Sequence, residues 1–111
     1  MKRIVLFTLA IALGAPLALA QMKVPDTPAG KAYQAAMMKM MAMDKDMKMT
    51  GDADKDFVMM MLPHHQGAID MAKVELEYGK DPMLKKMAGE IIAAQQKEIE
   101  AMKAWQSKAP M

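Results

Sequence analysis

The sequence predicts an all-α fold, an antiparallel helical bundle of three long helices. Three observations point there. Apolar residues recur at three- and four-residue spacing through most of the chain after residue 27, and strand-like alternation appears nowhere. Two cap-plus-proline pairs, Thr27-Pro28 and Asp81-Pro82, mark helix beginnings. Two glycines, Gly51 and Gly79, stand where helices should stop.

The first twenty residues read as a secretory signal peptide and not as part of the fold. Lys2 and Arg3 give a positive start, Ile4 to Leu13 is apolar, Pro16 breaks the run, and Ala18-Leu19-Ala20 suits a small-residue cleavage site. The segment is too short for a membrane span and no second apolar segment follows it, so no membrane insertion is expected. The mature chain is expected to begin at Gln21 and to be soluble. Residues 21–27 form a short polar lead, and residues 28–108 form the helical domain.

The first helix is expected from about Pro28 to Met47 or Met49, with Gly51 as its stop. Asp52 or Asp54 then caps the second, where negative charge suits a helix N-terminus. The second helix should run from about Ala53 to Tyr78. Pro63 lies inside it, lacks a backbone donor and crowds the carbonyl four residues back, so a kink or break is expected near Met59 to Leu62. The third should run from about Pro82 to Ser107, with Met83, Met87, Ile91, Gln95, Met102 and Trp105 on one face. Glu98 falls on that face too, as a rim carboxylate paired to a lysine or as an acceptor for a ligating imidazole. Each helix is about 30 Å or more long, and short turns join them up-down-up. Three helices leave one apolar flank poorly covered. A homo-oligomer that completes four helices, or a dimer of bundles, is the arrangement this pattern leaves open.

Composition narrows the function. The chain has 111 residues, 17 methionines and no cysteine. An exported chain without cysteine has neither a disulfide scaffold nor a thiolate metal site. Of the 15 Lys and Arg, Lys2 and Arg3 leave with the signal, so the remainder balances the 13 Asp and Glu. Zero net charge with mixed signs gives no case for nucleic acid or an anionic membrane. The acidic run Asp52, Asp54, Asp56 lacks the glycine and closing glutamate of a calcium loop. Zinc-protease, di-iron, nucleophile-elbow and phosphate-loop motifs are absent, and no catalytic step is expected.

The informative stretch is Phe57 to Met71, F-V-M-M-M-L-P-H-H-Q-G-A-I-D-M, which holds the chain's 2 histidines. On a helix, Phe57, Met60, His64, Ala68 and Met71 share one stripe, with Met61 and His65 on the stripe beside it. Imidazole nitrogen with thioether sulfur favours soft or borderline metals, above all copper. His64 grouped with Met60 and Met71 is the preferred half-site, completed by methionines from the first helix (Met37, Met40, Met41) or the third (Met83, Met87). Adjacent helical residues diverge by about 100°, so His64 and His65 need not share one ion. Seven methionines crowd residues 37–49, and Tyr33, Met37, Met40, Met41 and Asp44 share a face there. Methionine is also a core filler and an adaptable docking surface. Its spread beyond one face, the export signal and the embedded histidines weigh toward metal.

The run Asp56-Phe57 through Met59-Met60-Met61-Leu62-Pro63-His64-His65-Gln66-Gly67-Ala68-Ile69-Asp70-Met71-Ala72 closely resembles the signature of the CopM-like bacterial proteins, domain-of-unknown-function family 305. Ile91-Ile92, Gln95-Gln96, Glu98-Ile99, Met102 and Trp105 resemble that family's second block. The resemblance implies a ferritin-like bundle, exported to the periplasm, that binds copper through methionine and histidine, with silver as a Cu(I) mimic. It points to Met60, Met61, His64, His65 and Met71.

The expectation is therefore a periplasmic copper-binding protein for tolerance or trafficking, preferring Cu(I) and accommodating Cu(II), that meets other periplasmic copper-handling proteins. The competing readings are a methionine-rich helical module that grips partner helices without metal, and a methionine sink for oxidants.

Overall fold

The computed structural model describes residues 23–109. The stretch read as a signal peptide, and its boundary at Gln21, lie outside the described residues. The rest is an all-α helical bundle of three helices: α1 (Pro28–Asp44), α2 (Ala53–Tyr78) and α3 (Pro82–Lys108).

Each helix begins where local chemistry satisfies its first amides. The Thr27 hydroxyl accepts from the Gly30 N–H at 3.0 Å, ahead of Pro28. The Asp52 carboxylate accepts from the Asp54 and Lys55 amides at 3.0 and 3.1 Å. Asp81 accepts from the Leu84 N–H at 3.0 Å, ahead of Pro82. Such a cap stabilises a helix by about 1 kcal/mol.

Two boundaries differ from expectation. The first helix ends at Asp44, short of Met47 or Met49. Asp44 and Asp46 bring negative charge to the end that already carries the negative pole of the helix dipole, and the last turn holds no basic residue, leaving only the capping Lys45 to oppose it. The Met47 N–H turns back to the Asp44 carbonyl at 3.2 Å, and the chain leaves the helix. Gly51 is not the stop of α1. It adopts φ 85°, where side chains are disfavoured, and belongs to the lead-in of α2. The second difference is at Pro63: of the expected kink or break, the break does not occur, and α2 is one continuous helix from Ala53 to Tyr78. Pro63 is itself buried.

The turn before α2 is tied by Asp56. Its carboxylate accepts from the Thr50 N–H at 2.8 Å, the Thr50 hydroxyl at 2.7 Å and the Gly51 N–H at 3.0 Å. The Thr50 amide is the largest cause, followed by its hydroxyl, of a carboxyl held below the usual aspartate range. A depressed folded-state pKa stabilises the fold above the unfolded value of about 3.9, and that stabilisation is lost as pH falls through the folded value. Acid titration by NMR should therefore show the Thr50 and Gly51 amides moving together only below about pH 4. Asp56→Ala should abolish that step and free the turn; an unchanged transition would contradict the role.

α2 is the centre of the bundle. α1 packs on one side of it and α3 on another, and the backbones of α1 and α3 do not approach each other closely. Both neighbours run antiparallel to α2. Along one seam Tyr33 meets Glu75, Lys39 meets Asp70 and Asp44 meets His64. Along the other, His65 meets Glu98, and Phe57 and Val58 line a groove with Met102 and Trp105. The buried side chains are few and small: Ala36, Val58, Ile69, Ala72, Val74 and Ala88, with Pro63 and Gly67. Met83 and Met87, expected on the packing face of the third helix, are exposed, and Ala88 takes the buried position. No large side chain among the described residues is completely enclosed. With so thin a core, methionines near the seams line open clefts instead of filling an interior.

Candidate metal centre

The α1–α2 seam carries the chemistry. Halfway along it, Gly67 of α2 faces Met40 of α1. A Cβ placed on Gly67 would lie 2.6 Å from Met40 Sδ and 3.2 Å from Met40 Cγ. Glycine inside a helix costs about 1 kcal/mol relative to alanine. Here its bare surface lets a thioether lie against the backbone of α2. Beside this contact opens a largely apolar cleft of about 560 Å³, lined by Val24, Pro25, Tyr33, Met37, Met40 and Met71 among others. Three sulfur-bearing side chains from two helices thus border one space. Met71 also borders a smaller cleft of about 270 Å³, toward α3, which it shares with Met87 and Leu84. Tyr33 touches both and donates its hydroxyl to Glu75 Oε2 at 3.3 Å. Burial, then the Glu75 carboxylate, raises the tyrosine pKa, so the phenol stays a neutral donor at the mouth of the cleft.

The two histidines part company. His64 turns to α1, with Nε2 4.0 Å from Asp44 Oδ2, and its side chain is 54% exposed. His65 turns to α3, and its side chain is only 16% exposed. Its Nδ1 lies 2.9 Å from the Met61 carbonyl oxygen, and its Nε2 contacts Glu98 Oε2. Both ring nitrogens thus face oxygen atoms of the protein, which ties the imidazole at both edges. His65 is a brace between α2 and α3, and Glu98 is its partner in place of a lysine. Glu98→Ala should speed hydrogen exchange through residues 95–105 and leave α1 unaffected; uniform protection would show that the brace carries no load.

The structure gathers some of the expected site residues and not others. Met37, Met40 and Met71 meet at one cleft, and Met87 lies next to Met71 across the second. Met41, Met60 and Met61 are exposed, as Met71 and Met87 are, but border neither cleft, and Met83 is 65% exposed at the start of α3. His64 and Met71, expected in one half-site with Met60, are about 10 Å apart along the helix axis. They engage different levels of α1, His64 at Asp44 and Met71 beside Met37 and Met40. Among the described residues no three His, Cys, Asp or Glu side chains form a metal-holding group.

Two contributors were not singled out from the sequence. Asp44 was placed on the correct face of the first helix but given no role. Gly67 stood unremarked inside an apolar helix, where its propensity cost was the available signal.

No described helix is long and apolar enough to cross a membrane. Among known proteins, the chain is 45% identical over 49 residues to an uncharacterised protein of Acanthamoeba polyphaga mimivirus. That stretch is 44% of this chain, and the chain spans only 32% of the length of that relative. Residues 12–106, which contain both the double-histidine stretch and nearly all of α3, match the family described as Domain of unknown function (DUF305). The chain, by the extent of that match, belongs to the DUF305 family.

Proposed function

We propose that this protein binds monovalent copper in the thioether cleft between α1 and α2, outside the cytoplasm, for copper tolerance or trafficking. The carrying observation is the convergence of Met37, Met40 and Met71 on one space. Thioether sulfur is a soft, neutral donor that suits Cu(I) and its mimic Ag(I) better than the harder divalent ions. It has no proton to lose near neutral pH, so binding survives acid conditions that disable imidazole. The cleft lining is mostly apolar, with Lys23, Thr27 and Gln34 as its polar members, and a neutral donor set in such surroundings favours a singly charged ion over a doubly charged one. The leader-like residues 1–20 and the absence of cysteine suit a protein that meets copper in an oxidising compartment such as the periplasm. Copper is cargo in this reading, and no catalytic step is assigned.

The direct experiment is intact-mass spectrometry of the purified chain after anaerobic exposure to Ag(I) or Cu(I). Retention of at least one ion per chain is expected; retention of none overturns the proposal.

A second reading has its own support. Met38, Met49 and Met83 are exposed and border neither cleft, as an adaptable docking surface would require. Under that reading leucine at those three positions should leave any helix-gripping activity unchanged, whereas aspartate should weaken it, with ion retention intact in both.

A further inference from the structure

The cleft between α1 and α2 is far larger than an ion needs. An ion among Met37, Met40 and Met71 fills one end of it, whereas the whole measures about 560 Å³. That volume falls in the range of about 300–1,000 Å³ in which proteins hold small molecules. One wall is the lead segment, Lys23 to Thr27, which lies against the first turn of α1. The Thr27 N–H donates to the Pro25 carbonyl at 2.8 Å. A Cβ on Gly30 would collide with that same carbonyl oxygen, so the bare glycine is what admits the lead. Lys31 ties the segment from outside through Asp26 at 2.6 Å.

The lining changes character along α1. Lys23, Thr27 and Gln34 belong to its N-terminal end, and Met37, Met40 and Met71 to the other. From Gly30 to Met40 the helix rises about 15 Å, room for an elongated ligand. Two polar groups of the cleft are already engaged. The Thr27 hydroxyl accepts from the Gly30 amide at 3.0 Å, and the Tyr33 hydroxyl donates to Glu75 at 3.3 Å. Lys23 and Gln34 are left to meet an incoming group, one as a cation and one as an amide donor. Both are exposed, so a polar head placed there keeps its access to water. Glu75, the nearby carboxylate, borders the neighbouring cleft and not this one. Val24, Met37 and Met40 are half-buried. An apolar chain laid along them takes apolar surface out of water on both partners.

We propose that this cleft binds a free aliphatic monocarboxylate of medium chain length. Its carboxylate meets Lys23 and Gln34, and its tail runs past Val24 and Tyr33 toward the methionines. The Lys23 charge selects an anionic head over a neutral one. The flexible thioethers suit a tail of no fixed shape. Apolar walls and not sulfur lone pairs hold the tail, so this binding needs no metal and goes beyond the copper reading.

The test is calorimetric titration of the metal-free chain with decanoate, octanoate and decanol, with circular dichroism as the check on folding. Decanoate should bind at one per chain. Octanoate, two methylenes shorter, should bind on the order of 10-fold more weakly. Amide shifts in NMR should centre on residues 24–40 and Met71. Lys23→Gln should weaken decanoate by about 2- to 5-fold, the range of an exposed ion pair, and leave decanol unchanged. Val24→Asp puts a charge into the wall and should weaken both ligands at least about 10-fold, whereas Val24→Leu should not. The triple variant Met37→Leu, Met40→Leu, Met71→Leu should keep decanoate. Ag(I) retention, read by mass on the same samples, reports on the copper reading separately. Absence of decanoate binding would overturn the proposal, as would equal decanoate affinity in wild type and a folded Val24→Asp chain. So would decanoate binding that ignores Lys23→Gln, shifts centred on α3, or loss of decanoate in a folded triple variant.

Discussion

Replacing Met37, Met40 and Met71 together by leucine is expected to abolish tight Ag(I) and Cu(I) binding while leaving the helices in place. Leucine and methionine have similar volume and similar helix propensity, and such exchanges usually cost less than about 1.5 kcal/mol each. None of the three residues is buried, so even that figure is an upper bound here. What the change removes is sulfur. Loss of an outer-shell partner alone commonly weakens a metal site 10–100-fold, so removal of three direct donors should exceed about 100-fold. Competition against a colourimetric Cu(I) chelator measures this, with circular dichroism as the control for folding. A metal-based role elsewhere on the chain predicts instead that the triple variant binds as wild type does. The single variants should each fall between, with Met40 the most sensitive because its sulfur lies against Gly67.

Gly67→Ala should separate binding from stability in the same seam. The added methyl would stand 2.6 Å from Met40 Sδ, so the thioether must move. Because the sulfur lies well out on a flexible side chain, the shift is mechanically easy. Alanine also gains up to about 1 kcal/mol over glycine inside a helix. The two effects oppose each other, and the melting temperature should change little or rise. Ion affinity should fall all the same, since Met40 no longer lies in the place that brings it beside Met37 and Met71. A larger side chain, as in Gly67→Leu, should push α1 away and lower both. If Gly67→Ala binds Ag(I) as tightly as wild type, Met40 is packing and not a donor.

Much of the fold is legible in the residues because its decisions are local. Thr27-Pro28, Asp52 and Asp81-Pro82 announce helix starts, and the structure begins helices there. The end of α1 was misread because apolar periodicity continues through Met47 and Met49, whereas the stop is set by charge at Asp44 and Asp46 and by the tie between Asp56 and Thr50. The geometry of Pro63 alone predicts a kink or a break; that the helix stays continuous depends on the packing of α2 between two neighbours, a property of the whole fold.

The same division holds at the site. That His64 and His65 diverge follows from helix geometry alone. Which neighbour each finds, Asp44 or Glu98, depends on how α1 and α3 lie against α2. A stripe of methionine says that sulfur is available, but only antiparallel register puts Met37 and Met40 beside Met71. Met83 and Met87 share helical spacing with the packing residues of α3, yet the rotation of that helix puts Ala88 inward and leaves both of them exposed.

The most direct test of the account is X-ray absorption at the copper edge on the chain loaded anaerobically with one equivalent of Cu(I). Sulfur scatterers should dominate the first shell and should disappear in the Met37, Met40, Met71 leucine variant. A first shell of nitrogen and oxygen alone, or a chain that takes up no Cu(I), would contradict it.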